Sequence, residues 1–338
     1  MRMIIIGFGT VGQNLARILH SQERRLLREF GFYPRIVAVV DSRGAAVDTK
    51  GLDLKRTLTI KQMKGSVARD PELGCAGVDP KEIIEKVEAE AVLELTPTNV
   101  TDGEPGLSHI KTALRNRKHV VTSNKGPLAI AMPSLMEMAS YNRVLLKFSG
   151  TVGGGTPILD FANRCFNGNR IRSLRGILNG TTNYVLTRMA ESGISLDVAL
   201  NEAQSSGYAE ANPSYDVDGT DTACKLVILA NCVMGKESSM RDVEVEGISK
   251  ITSKDIEEAK RESSEVKLIG SIDDDEIRVQ PERIPRRHPL CVGGTLNAVS
   301  FRTELMDEIT IVGRGAGGVE TASAVLRDVI DVRRTLAR

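Results

Sequence analysis

Between positions 207 and 225 the chain reads Gly-Tyr-Ala-Glu210-Ala-Asn-Pro-Ser-Tyr-Asp216-Val-Asp218-Gly-Thr-Asp221-Thr-Ala-Cys-Lys225, which places four carboxylates and an ammonium group within nineteen residues. The stretch runs into an apolar segment, Leu226 to Met234, that reads as a helix starting near Gly219 or Thr220. Asp221 and Lys225 are then i and i+4 on one helical face, in its first turns. Alone, such a pair is an ordinary helix ion pair worth about 0.3 kcal/mol. Preceded by Glu210 and Asp216 on a polar loop with aromatic residues, it suits a zwitterionic amino-acid substrate. Such a substrate needs carboxylates for its ammonium group, donors for its carboxylate, and a cation or acid beside the reacting oxygen.

A second constellation opens the chain. Met3 to Ile6 is a short buried-strand run, followed at once by Gly7-Phe8-Gly9-Thr10-Val11-Gly12 and a helical pattern with Leu15, Ile18 and Leu19 on one face. Strand, glycine turn and helix in that order form a dinucleotide cradle. The first glycine permits the tight turn, the second lets backbone approach a pyrophosphate, and the third packs helix on strand. The next strand, Ile36 to Val40, ends in Asp41, the position of an acid for the adenosine ribose hydroxyls, although it lies 29 positions after Gly12 instead of the usual ~20. Arg43 could pair with a 2′-phosphate that Asp41 would repel, so NAD and NADP both stay open. A glycine-rich stretch from Gly44 to Gly77 then reads as a mobile interruption of the alternation.

Alternation resumes with a capped helix at Asp79-Pro80-Lys-Glu82. Strand Ala91 to Leu95, a helix over 107–116, strand His119 to Thr122, a helix from Pro133 to Tyr141 and strand Val144 to Phe148 follow. Five strands separated by helices predict an α/β fold with a Rossmann-type, doubly wound parallel sheet. Ligands collect at the carboxyl ends of such strands, which singles out Thr96-Pro-Thr98-Asn99 and Thr122-Ser123-Asn-Lys125. A hydride delivered to an aldehyde builds negative charge on oxygen, and Lys125, Lys225 or both can answer it. After Phe148 a glycine cluster, Gly150-Thr-Val-Gly-Gly-Gly155-Thr-Pro157, marks the main junction.

Composition closes off other classes. The 338 residues suit two domains, and 45 basic against 44 acidic residues speak against a nucleic-acid binder. The longest apolar runs fall far below the ~18 residues that span a bilayer, and the N-terminus lacks the apolar region of a signal peptide, so a cytoplasmic protein without membrane contact is expected. Five scattered cysteines and four histidines show no metal-ligand spacing, which disfavours a disulfide framework and a zinc-type dehydrogenase.

From end to end the chain resembles homoserine dehydrogenases. The resemblance is carried by residues 7–12, Ser-Asn-Lys at 123–125, Gly-Thr-Val-Gly-Gly-Gly at 150–155, Gly-Ile-Leu-Asn-Gly-Thr-Thr-Asn at 176–183 and the whole 207–225 block. It implies NAD(P)-dependent interconversion of L-aspartate 4-semialdehyde and L-homoserine, on the route to threonine, methionine and isoleucine. It also implies a dinucleotide-binding domain over 1–148, completed by about 313–338, and an α+β substrate and dimerisation domain over 149–312. By residue, it implies substrate contacts from Glu210, Asp216, Asp221 and Tyr208, proton transfer at Lys225, a second active-site lysine at Lys125, and cofactor contacts from Gly315 and Gly317. A sodium ion held by the carbonyls of Val152, Gly154 and Thr156 is implied too, with Ser149 standing where relatives carry a glutamate. A homodimer is expected through segments 146–160 and 285–312. The short chain resembles forms without a C-terminal regulatory domain, so direct threonine feedback is not expected. The rivals are another two-domain NAD(P)-dependent oxidoreductase and a dinucleotide sensor without turnover.

Overall fold

The computed structural model describes residues 1–274 and 276–337, in two compact units: Met1–Thr151 with Gly318–Arg338, and Val152–Gly317. The first unit is built on a seven-stranded sheet, counted among the described residues, of β1 (Arg2–Ile6), β2 (Arg35–Asp41), β3 (Gly44–Val47), β4 (Gly74–Ala76), β5 (Ala91–Glu94), β6 (His119–Thr122) and β7 (Leu146–Lys147). Their spatial order is β4-β3-β2-β1-β5-β6-β7. The pairs from β2 through β1, β5 and β6 to β7 are all parallel, as expected of a Rossmann-type sheet. Its helices are α1 (Thr10–Ser21), α2 (Glu23–Phe30), α3 (Leu54–Lys64), α4 (Pro80–Lys86), α5 (Gly106–Arg115) and α6 (Lys125–Tyr141).

Because both faces are covered, β1 and β2 are continuous apolar runs instead of alternating ones. Met3, Ile5, Leu15, Leu19, Val39 and Leu93 meet in one core cluster, and Ile4, Val92 and Val120 on the opposite side are equally buried. Register matters more for function. Ile6 pairs with Val40 on one side and Glu94 on the other, and Glu94 pairs with Thr122. The residues that follow, Gly7, Asp41, Leu95 and Ser123, therefore leave the sheet side by side at one edge.

Two expectations need correction. The glycine-rich stretch 44–77 is not an interruption: it forms β3, α3 and β4, with β3 and β4 antiparallel additions to the sheet. Gly44 and Gly74 serve close approach, since a Cβ on Gly44 would lie 2.2 Å from the Cys75 carbonyl oxygen and one on Gly74 2.3 Å from the Ala68 carbonyl oxygen. Asp53 starts α3 by accepting from the N–H groups of Lys55 and Arg56, and Gly65 ends it at φ +76°. The helix expected from Pro133 instead begins at Lys125 and is broken at Ala131 (φ −140°, ψ 23°), two residues before the proline that denies it a hydrogen bond.

The second unit carries α7 (Ile158–Cys165), β8 (Ile171–Ile177), α8 (Gly180–Ser192), α9 (Leu196–Ser205), α10 (Ser214–Val217), α11 (Thr220–Val233), β9 (Val243–Val245), α12 (Ser253–Arg261), β10 (Ser264–Ile272), β11 (Ile277–Pro285), β12 (Leu296–Thr303) and β13 (Glu308–Arg314). The strands form a mainly antiparallel sheet in the order β13-β12-β8-β10-β11-β9. α11 crosses it so closely that a Cβ on Gly270 would stand 3.0 Å from side-chain carbons of Leu226 and Thr222. Every residue from Asp221 to Ala230 is buried, which explains why this helix is apolar on all sides except where it carries Asp221 and Lys225.

The chain then returns to the first unit as α13 (Gly318–Leu336). Ala322, Val325, Val329 and Val332 recur at helical spacing and join the core beside α1. Asp328, wholly buried on this helix, accepts from the Ser149 N–H (2.8 Å) and hydroxyl (2.7 Å). The Ser149 hydroxyl is therefore committed to a carboxylate brought by α13.

Candidate active site

In the first unit the glycine turn has the form a dinucleotide requires. A Cβ on Gly7, where φ is +96°, would lie 2.5 Å from the Leu95 carbonyl group, and one on Gly12 would lie 2.4 Å from the Gly7 carbonyl oxygen. At Gly9 nothing stands within 4 Å of that position. The outer glycines thus hold strand, turn and helix in contact, while the middle one leaves its backbone open. Gly9 is also the N-cap of α1 and gives it no side-chain cap, so the helix start retains donors for a phosphate. These residues fit the pyrophosphate of a nicotinamide dinucleotide.

Asp41 sits at the end of β2 as expected, but its carboxylate is engaged within the protein. One oxygen accepts from the Arg43 N–H (3.0 Å) and Ser66 hydroxyl (2.9 Å), the other from Lys61 Nζ (2.7 Å) and the Val67 N–H (3.0 Å). Burial alone would raise its pKa, but these donors together hold it below the ordinary carboxylate range. Its side chain is only 3% exposed, whereas Arg43 is exposed at the same strand end. Lys61 and Ser66 had no signal in the sequence, because nothing in the spacing of the 44–77 stretch brings them to Asp41.

The ends of β5 and β6 are tied by a buried network that sequence reading also missed. Glu94, fully buried, accepts from the Thr96 N–H and hydroxyl and from the Thr122 hydroxyl, with His109 Nδ1 at 3.6 Å. Asn124 caps α6 by accepting from the Gly126 N–H (3.1 Å), and donates to the Thr96 hydroxyl (3.2 Å) and Pro97 carbonyl (3.3 Å). The Lys125 N–H reaches the Thr98 hydroxyl at 3.4 Å. Lys125 therefore starts a helix whose first turn is fastened to the Thr96–Asn99 loop, and Ser123 lies in the same link. An acid closing the apolar run Ala91 to Glu94 was the available signal.

In the second unit the acid-rich block closes into a compact cluster. Lys225 Nζ stands 2.6 Å from Asp221 Oδ2 and 2.6 Å from the Leu178 carbonyl oxygen, and both side chains are 8% exposed. Among the described residues these two acceptors engage two of the three donors of the ammonium. Asn179, one residue beyond Leu178, donates to Asp216 (2.6 Å) and Asp221 (2.8 Å). Burial, then the charge of Asp221, pushes the Asp216 carboxyl above its usual range. Tyr215 is shifted upward by burial and by Cys224, which it contacts at 3.3 Å, so it remains a neutral phenol.

Glu210 and Tyr208 lie outside this hydrogen-bonded cluster, on an exposed turn beside it. Gln204 donates to the Glu210 carbonyl, Thr181 donates to the Tyr208 carbonyl, and the Tyr208 ring rests against Tyr184 at 4.8 Å. The two other glycine segments are neighbours within this unit. A Cβ on Gly154 would meet the Gly315 carbonyl oxygen at 2.8 Å, one on Gly313 would meet Thr156 at 2.3 Å, and one on Gly315 would overlap Asn297. Gly317 has φ +135°, open to glycine alone. In the 152–156 turn the Thr156 carbonyl accepts from the Ile158 N–H (2.8 Å), while no main-chain hydrogen bond among the described residues reaches the carbonyls of Val152 and Gly154.

The family model described as homoserine dehydrogenase matches residues 157–330, and one described as glutamate/leucine/phenylalanine/valine dehydrogenase matches residues 1–101. A homoserine dehydrogenase of Methanocaldococcus jannaschii is 43% identical over 98% of this chain and 98% of its own. An NAD(+)-dependent homoserine dehydrogenase of Pseudomonas canavaninivorans is 38% identical over 100% of this chain and 97% of its own. The solved structure of a hyperthermophilic archaeal homoserine dehydrogenase in complex with NADPH superposes with a TM-score of 0.86 at 30% identity, covering 99% of this chain and 98% of that one.

The electrostatics of the cluster can be measured directly. The side-chain carboxyl carbon of Asp216, followed by NMR, is expected to titrate above the ordinary aspartate value of ~3.9 and to fall back when Asp221→Asn removes the neighbouring charge. Titration at the ordinary value in both proteins would contradict the proximity of the two carboxylates.

Proposed function

The chain belongs to the homoserine dehydrogenase family, and we propose the following division of labour among its residues for the family's reaction. That reaction is the NAD(P)-dependent interconversion of L-aspartate 4-semialdehyde and L-homoserine, a step towards threonine, methionine and isoleucine. When bound, the nicotinamide cofactor supplies or accepts the hydride at the carbon bearing the reacting oxygen.

Lys225 gives the proton to that oxygen. The observation that carries this role is its fixed ammonium, held by Asp221 and the Leu178 carbonyl at 2.6 Å each, which engage two of its three N–H donors among the described residues. Asp221 keeps the lysine aimed, and Asp216 and Glu210 take the substrate ammonium group, with Tyr208 beside them. Lys125, fixed at the start of α6, contributes positive charge where negative charge develops. Residues 7–12 hold the pyrophosphate, and Thr96 and Ser123 border the nicotinamide end.

For the adenosine end we propose that NADP is accepted in preference to NAD. Lys61 neutralises Asp41, the acid that would repel a 2′-phosphate, and Arg43 remains exposed to pair with it. For the glycine turn we propose a weakly held monovalent cation at the carbonyls of Val152, Gly154 and Thr156. Two of the three are uncommitted to main-chain hydrogen bonds, and oxygen ligands suit a hard cation. For assembly we propose a homodimer through residues 285–312. Among the described residues β13 is an end strand of its sheet, and Leu305, Met306 and Val312 are exposed there.

Purified protein with L-homoserine is expected to generate reduced nicotinamide absorbance, faster with NADP than with NAD. Lys225→Ala is expected to lower kcat on the order of 1,000-fold with cofactor affinity unchanged. No homoserine-dependent signal from the wild-type protein would overturn the reaction, and comparable kcat in the variant would remove Lys225 from proton transfer. At constant ionic strength, exchanging sodium for tetramethylammonium chloride is expected to slow turnover, and equal rates would dismiss the cation. Light scattering is expected to give twice the chain mass, a result that a Leu305→Asp/Met306→Asp variant should reduce to one; a monomeric wild type would refute the interface.

A further inference from the structure

Asn179 stands where β8 ends and α8 begins, and its side chain serves two sets of partners. Oδ1 accepts from the Thr182 N–H (2.8 Å) and hydroxyl (3.1 Å), which caps α8. Nδ2 lies 2.6 Å from Asp216 Oδ1 and 2.8 Å from Asp221 Oδ2. The orientation of the amide follows from these partners: an N–H donor on one side and two carboxylates on the other admit only one assignment.

A cap requires an acceptor alone, and serine, threonine or aspartate provides one. A carboxamide adds two N–H donors to that acceptor, so asparagine serves the helix and the carboxylates together. The preceding residue, Leu178, gives its carbonyl to Lys225. Two successive residues at one strand end therefore fix both members of the Asp221–Lys225 pair. Asp216 and Asp221 are like charges in a largely buried place, where an unbridged pair is costly and free to separate.

We infer that Asn179 is a positioning residue of the reaction: its amide bridges the Asp216 and Asp221 carboxylates and, through Asp221, keeps the Lys225 ammonium aimed at the reacting oxygen. The inference rests on the reading of Lys225 as proton donor. The groups facing Asp216 are Asp221 and Lys225 from α11, Asn179 and Thr181 from the corner of β8 and α8, and Tyr215 beside it on α10. Asn179 is among those that draw its carboxyl downward, against burial and Asp221. Loss of the amide therefore lets Asp216 take a proton at higher pH.

Asn179→Asp keeps the cap and removes both donors, whereas Asn179→Ser keeps the cap and one donor. Asn179→Asp, which sets a third carboxylate beside Asp216 and Asp221, is expected to lower Tm while retaining the wild-type cofactor KM, to lose kcat on the order of 100-fold, and to move the acid limb of kcat/KM to higher pH. Asn179→Ser is expected to fall between it and the wild type in both readouts. An Asn179→Asp protein with wild-type kcat and acid limb would overturn the inference, and so would a lower kcat with an unmoved limb, the mark of a merely structural role. Should Asn179→Asp fail to fold, Asn179→Ser decides by the same two readouts. Wild-type homoserine oxidation, measured alongside, separates failure of this inference from failure of the proposed reaction.

Discussion

The buried contact between Lys225 and Asp221 is the constraint around which the second unit is organised. A buried ammonium needs an anion and further acceptors in place of water. The protein supplies Asp221 one helical turn earlier and the Leu178 carbonyl from the end of β8. This demand explains why α11, otherwise a helix for the interior, carries charge only near its start, and why β8 must stop at that height. Asp221 also gains from its place in the first turn of α11, where the helix dipole favours a negative charge.

The same economy of position governs the first unit, through strand register. Ile6, Val40, Glu94 and Thr122 lie in adjacent register, so the glycine turn, the Asp41 network and the Thr96 and Asn124 loops emerge along one edge. Each is then fixed by partners distant in sequence. Glu94 binds the loop after β5 to β6, and Asp328 on the returning helix holds the turn at Ser149. Polar groups buried this way must be satisfied together, since one unpaired member costs about 1–3 kcal/mol.

Much of this was legible in the chain. The strand, glycine turn and first helix stand where the pattern puts them, because apolar periodicity and glycine spacing are local properties. The i, i+4 spacing of Asp221 and Lys225 made their contact readable for the same reason. Glycine density misled in the 44–77 stretch, where it signals tight packing of β3 against β4 instead of an interruption. The start of α6 was missed because Pro133 reads as a helix beginning when it lies within a broken one.

The sequence by itself determined the class of chemistry: a dinucleotide turn, a lysine–aspartate pair one helical turn apart and an acid-rich loop, all set by neighbours in the chain. Only the tertiary structure decided how those groups are armed. Asn179 meets Asp216 and Asp221 across 37 and 42 residues, and Lys61, Ser66 and Val67 reach Asp41 across 20 to 26. Such meetings depend on strand register and on where helices cross the sheet, which no spacing along the chain encodes. They settle which carboxylates are already satisfied within the fold.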